Sequence, residues 1–190
     1  MGFAIDSDAI AKSQNLSNLQ AGRETIRMVD QCIRQGVPFS LETTLSGSLI
    51  LKQIQQAKEH NFQVRLLYIS LDSPDKHLDR IEQRVIEGGH YINSDDVVRR
   101  YHRSHENLNK AISIVDEANV YSNGAKFEMA VRIKHGKIIE LGVKIPNWAN
   151  SILNQFEYYS TNSKDKSSRI RTCSVRCQTS TAPMPMCLRR

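Results

Sequence analysis

Three groups of residues in this sequence have types and spacings that could do chemistry. The first is Glu42, Thr43 and Thr44 in "FSLETTLSG", where a carboxylate and two hydroxyls directly follow an apolar run. Such a carboxylate could take a proton or hold a cation, and the hydroxyls could orient a polar substrate. The second is a series of arginines: Arg80 and Arg84 in one helical pattern, Arg99, Arg100 and Arg103 in the next, with Gly88, Gly89 and His90 between them. Guanidinium groups bind phosphate oxygens in pairs and stay charged, so two such helices joined by glycines suit a lid that closes on phosphates. The third comprises Asp6, Asp8 and the stretch from Tyr121 to Asn123, polar residues that follow other apolar runs.

Each group also has a plain structural role open to it. Glu42 could pair with a lysine while Thr43 or Thr44 caps a helix. Arg80 could pair with Glu82 or Glu87, and Arg99 with Asp95 or Asp96, as solvated ion pairs. His102 and His105 are three apart, but no carboxylate pattern beside them completes a metal site, and together with His90 they read as surface residues.

The elements that must position these groups alternate. "FAID" ends a short strand, residues 18–35 show helical spacing closed by Gly36, and "VPFSLE" is a second strand. Ser46 is placed to cap a helix over 47–60. "FQVRLLYISL" has the apolar density of a strand buried on both faces. Pro74 opens a helix reaching Glu87, and a second long helix is expected over 94–118. "NVYSN" is a further strand, "FEMAVRIKHGKIIELGV" a hairpin turning at His135 and Gly136, and a closing helix is expected from Pro146 to about Tyr159. Strand alternating with helix predicts an α/β fold around a parallel sheet, with ligands at the carboxyl ends of the strands. Glu42, Asp8 and Asn123 all fall at such ends.

At 190 residues the chain is long enough for one sizeable domain. Its net charge of +6 lies wholly in residues 161–190, which hold seven basic residues and one acidic; residues 1–160 are neutral. The body therefore has no electrostatic claim on nucleic acid. The tail lacks aromatic residues for stacking on bases and an amphipathic pattern for a membrane surface. With few large apolar residues it reads as a disordered basic extension. No apolar run is long enough to span a membrane, and the N-terminus lacks the pattern of a signal peptide, so the expected location is cytoplasmic. Cys173, Cys177 and Cys187 fit no common zinc spacing.

The blocks "FAIDSDAIA", "AGRETI", "FSLETTLSG", "RIEQRVIEGGHYINSDDVVRRYHRSHENL" and "NVYSN" resemble, in order and spacing over about residues 3–125, the zeta-toxin-like P-loop small-molecule kinases. That group includes toxins that phosphorylate UDP-N-acetylglucosamine. The resemblance implies a three-layer P-loop kinase fold and transfer of the ATP γ-phosphoryl group, with Mg2+, to a hydroxyl of a small acceptor such as a UDP-amino sugar. Asp8 would accept the proton of the attacking hydroxyl. Glu42 would lie near magnesium and substrate, with Thr43 and Thr44 on the acceptor. Arg84 and either Arg99 or Arg100 would stabilise charge on the transferring group, Arg80 and His90 would belong to the lid, and Asn123 would lie near the nucleotide. An antitoxin protein is an expected partner.

One part of the pattern is absent. None of the nine glycines heads a G-x-x-x-x-G-K-[ST], the loop whose amides cradle phosphates. In the resembled family this loop, the strand before it and the helix after it precede the "FAIDSD" block. The expectation is therefore a truncated domain over residues 1–160, missing its first strand, P-loop and helix, with a C-terminal hairpin and a tail over 161–190, and inactive on its own. The alternative is a non-catalytic remnant or interaction protein of a toxin–antitoxin-type system.

Overall fold

A computed structural model describes residues 2–88, 92–156 and 172–178. The elements run β1 (Phe3–Ile5), α1 (Ser7–Gln14), α2 (Asn18–Gln35), β2 (Phe39–Thr43), α3 (Leu49–Glu59), β3 (Gln63–Ser70), α4 (Pro74–Ile86), α5 (Ser94–Ile112), β4 (Glu117–Asn123), β5 (Phe127–Lys134), β6 (Lys137–Leu141), α6 (Asn150–Gln155) and β7 (Thr172–Gln178). Local chemistry sets most boundaries. Ser17 and Gln20 form a reciprocal capping box at the start of α2, and Gly36, at φ 66°, ends it. Ser73 caps α4 ahead of Pro74.

All seven strands form one sheet in the order β1-β2-β7-β3-β4-β5-β6. The pairs from β1 to β4 are parallel, and β4-β5-β6 is an antiparallel meander. The chain is thus an α/β protein with a mostly parallel open sheet.

Residues 172–178 depart from the expectation of a disordered tail. They form β7, which lies in the middle of the sheet, paired with Phe39–Thr43 on one side and with Gln63–Ile69 on the other. This strand comes from the far end of the chain. A strand flanked on both sides has its backbone groups satisfied by its neighbours, so it needs only small alternating apolar residues. Cys173 and Val175 supply them, each 2% exposed. The rest of 161–190 lies outside the described residues.

The register makes the two faces of the sheet chemically distinct. Leu41, Val175, Leu66, Ala118 and Ile133 share one row across the strands, and none is more than 4% exposed. This face packs on Val29 and Ile33 of α2, Ile50 and Ile54 of α3, and Leu108 and Ile112 of α5. The next row reads Glu42, Arg176, Leu67, Asn119, Arg132 and Glu140. It is polar apart from Leu67, and no residue in it is buried. Burial along β3 therefore alternates from Gln63 to Tyr68, where Arg65 and Leu67 lie on the polar side, and only its last residues, Tyr68 to Ser70, are buried in succession as expected of a strand covered on both faces.

Three boundaries also differ from expectation. The closing helix does not start at Pro146: residues Asn147–Ala149 form a short 3-10 turn and α6 begins at Asn150. α5 stops at Ile112, short of 118, because Asp116 is recruited to β3. Its carboxylate accepts from the Val64 amide at 2.7 Å and from Lys58 Nζ at 2.6 Å. α3 starts at Leu49, after Ser48, and Ser46 is used elsewhere.

Candidate functional site at the carboxyl edge of the sheet

Because β1, β2, β7, β3 and β4 are parallel, the residues after Ile5, Thr43, Ser70 and Asn123 emerge along one edge. Neighbouring strands lie about 4.8 Å apart, so the ends of β1 and β4 are separated by about 19 Å. The edge holds two polar groups rather than one compact centre.

The first group follows β1 and β2. Asp6 caps α1 by accepting from the Asp8 amide at 2.9 Å, which leaves the Asp8 carboxylate exposed. Glu42 is exposed on the polar face, with its Oε1 3.2 Å from Arg176 Nη1. Neither a lysine partner nor a free carboxylate describes it: its partner comes from β7. Thr43 and Thr44 are turn-builders. The Leu45 amide donates to Thr43 Oγ1 at 3.2 Å, and Thr44 shares a hydrogen bond with Ser46 Oγ at 2.8 Å.

That turn is held from outside. Leu45 has φ 57°, an uncommon value for a leucine, yet it is fully buried. Asn107 on α5, 8% exposed, donates its amide to Leu45 O at 2.8 Å and to Gly47 O at 3.2 Å. Asn107→Leu should leave both carbonyls without that donor and lower stability by about 1–3 kcal/mol. Urea unfolding would show this, and amide exchange over residues 44–48 should speed up more than exchange in α5. An unchanged midpoint would mean that water serves these carbonyls equally well.

The second group follows β3 and β4. The Asp72 carboxylate accepts from Lys76 Nζ at 2.7 Å and from Ser122 Oγ at 2.8 Å. These two hydrogen bonds and the nearby Lys144 charge hold it below the usual carboxylate range, against an opposing effect of burial. A Cβ on Gly124 would lie 2.4 Å from Asp72 Oδ2, so a side chain there would push the Asp72 carboxylate aside. Arg80 of α4 donates to Asn123 O at 2.9 Å, which ties the first arginine helix to the end of β4.

The remaining arginines divide. Arg84 lies one turn beyond Arg80 and is half-buried. Arg99 takes the ion-pair role with Asp96, and Arg100 is exposed. Gly88 has φ 86°, as a turn between α4 and α5 requires; Gly89 and His90 lie outside the described residues.

Beneath the second group lies an aromatic cluster that the sequence reading missed. His105, read as a surface residue, is stacked on Trp148 at a centroid distance of 4.9 Å and meets Tyr101 edge-on at 4.3 Å. Its Nε2 lies 3.1 Å from Ser70 Oγ. His77, 2% exposed, packs against the other side of Tyr101. Burial, and to a lesser degree the charges of His77 and His102, push the His105 pKa down to about 4. The Tyr101 hydroxyl donates to Asp72 O at 3.2 Å, and burial pushes its pKa up to about 12. The cluster locks α5 to the end of β3.

For the metal and nucleotide that the resemblance implies, the donors are incomplete. Glu42 is engaged by a guanidinium, and no group of three or more His, Cys, Asp or Glu side chains among the described residues is arranged to hold a metal ion. No glycine-rich phosphate loop occurs in residues 1–190. Among the described residues no helix is long and apolar enough to cross a membrane.

Fold and edge together define an α/β open-sheet protein with a polar carboxyl edge. A protein of Haemophilus influenzae described as uncharacterized is 41% identical to this chain over 104 residues, which cover 52% of this chain and 74% of the other. The chain belongs to the same family as that protein. No family model matches the chain, and no solved structure does.

Proposed function

We propose that this chain is a kinase-like protein of the zeta-toxin type that binds a phosphate-bearing small acceptor along the carboxyl edge of its sheet. A UDP-amino sugar is the leading candidate. The observation that carries this reading is the common edge shared by Asp8, Glu42, Thr44 and Asn123, with the arginine helix α4 tied to it through Arg80. Open parallel sheets bind their ligands at that edge. In this reading Asp8 and Thr44 face the acceptor hydroxyl, and Arg84 meets its phosphates.

ATP and magnesium enter only through the family resemblance. With Glu42 engaged by Arg176 and no phosphate cradle in the sequence, no transfer step is assigned to this chain, and it is expected not to turn over ATP by itself. A second reading, a non-catalytic interaction protein of a toxin–antitoxin-type system, is favoured by the polar row Glu42, Arg176, Asn119, Arg132 and Glu140 on one face of the sheet, to which an antitoxin would dock.

Calorimetric titration separates the two. UDP-N-acetylglucosamine should bind with Kd below about 1 mM, equivalent to about −4 kcal/mol or better. Arg84→Ala should weaken that binding about tenfold, through loss of a charge-assisted contact to phosphate, and leave binding of uridine alone unchanged. Absence of binding by any nucleotide sugar would remove the acceptor reading and leave the interaction protein.

A further inference from the structure

We propose that the slot between β2 and β3 is an exchangeable strand-acceptor site, and that residues 172–178 of a second copy of this chain can fill it to give a strand-swapped dimer. The inference stands on the topology of β7 and is independent of the functional reading above.

β7 is the last element described, yet it lies inside the sheet, hydrogen-bonded to two strands that are far from it in sequence. Everything that recognises it belongs to the slot. Its backbone pairs with Phe39–Thr43 and Gln63–Ile69, Cys173 and Val175 enter the apolar face, and Arg176 meets Glu42 at 3.2 Å. A slip by one residue would turn Cys173 and Val175 onto the polar face, so register is strongly specified. The slot thus selects an extended segment with small apolar residues two apart and a guanidinium immediately after the second. Residues 172–178 of any copy of this chain meet that requirement.

The connection permits the exchange. Residues 157–171 separate the last described residue after α6 from β7. Fifteen residues reach about 50 Å when extended, enough to serve the chain's own slot or a neighbour's. The contacts made by β7 are the same either way, which is the condition for domain swapping. Departure of β7 without replacement would leave two unpaired edges in the middle of a parallel sheet, so an emptied slot draws in another strand. Reciprocal exchange between two copies satisfies both slots and closes the assembly.

Tethering favours the monomer at low concentration, since a short linker supplies its strand at an effective concentration on the order of millimolar. Full-length chain refolded from denaturant at about 1 mM should therefore contain at least tenfold more dimer than chain refolded at about 10 μM, measured by light scattering immediately after dilution. Connectivity is read with two full-length variants, Glu42→Cys and Arg176→Cys, refolded together at high concentration and then oxidised. Neither variant can form the 42–176 disulfide within one molecule. Swapping predicts that the disulfide joining position 42 of one chain to position 176 of the other exceeds the 42–42 and 176–176 products at least tenfold.

Charge reversal gives a second measurement without thiols. Glu42→Arg and Arg176→Glu each place like charges across the slot, whereas a reciprocal heterodimer restores both unlike pairs. Heterodimer should then exceed the statistical ratio by roughly fivefold. Chain that stays monomeric when refolded at high concentration, or a dimer that gives only statistical cross-links and statistical heterodimer, would overturn the proposal.

Discussion

Val175→Asp is expected to unfold the chain, although the substitution lies in a stretch whose composition reads as a disordered tail. Val175 is 2% exposed and shares its row with Leu41 and Leu66. A carboxylate there would be buried among aliphatic side chains without a partner, a change that costs more than about 4 kcal/mol. That is a large part of the 5–15 kcal/mol that typically holds a domain together. Val175→Ala, which removes two methyl groups and leaves a small void, should cost about 2 kcal/mol and keep a cooperative transition. Thermal or urea unfolding of the full-length chain checks both. If both variants melt like the parent, residues 172–178 contribute nothing to the sheet.

The second large effect is a dependence of stability on pH that belongs to one histidine. The folded pKa of His105 lies at about 4, below its ordinary value of 6.5, mainly through burial and secondarily through His77 and His102. Tyr101, Trp148 and Ser70 complete its surroundings. With the folded pKa below the unfolded one, the unfolded chain binds the extra proton between these two values. Stability from this group is therefore complete above pH 6.5 and lost as pH falls to about 4, by about 3 kcal/mol. His105→Phe keeps an aromatic ring against Trp148 and removes the titration. The slope of unfolding free energy against pH should then flatten by about one proton between pH 6 and 4.5. A variant with the parent's slope would show that another group carries the dependence.

What could be read from the sequence follows how local each determinant is. The helix from Asn18 to Gln35 and the hairpin turning at His135 and Gly136 carry their caps and turn residues within themselves; the helix has the expected bounds and the hairpin the expected turn, ending two residues early at Leu141. β7 does not. Its stabilisation comes from two strands more than a hundred residues earlier, and the alternation of Cys173, Val175 and Cys177 is too short to stand out among polar neighbours. The same holds at the edge of the sheet. That Glu42 lies close to the end of a strand was legible, although it sits inside β2 and not after it; its pairing with Arg176 depended on β7 and was not. His105 was misread because Trp148, the residue that covers it, lies 43 positions away. Asn107 acts on the backbone carbonyls of Leu45 and Gly47, which no pattern of side chains announces.

The most direct test of the proposed acceptor site is an amide-resolved NMR titration of the chain with UDP-N-acetylglucosamine. Saturable shifts are expected, concentrated at residues 6–8, 42–46 and 122–124 and along the Arg80–Arg84 turn of α4. Shifts confined to the amino ends of the strands or to the β5–β6 hairpin, or no shifts at millimolar ligand, would contradict it.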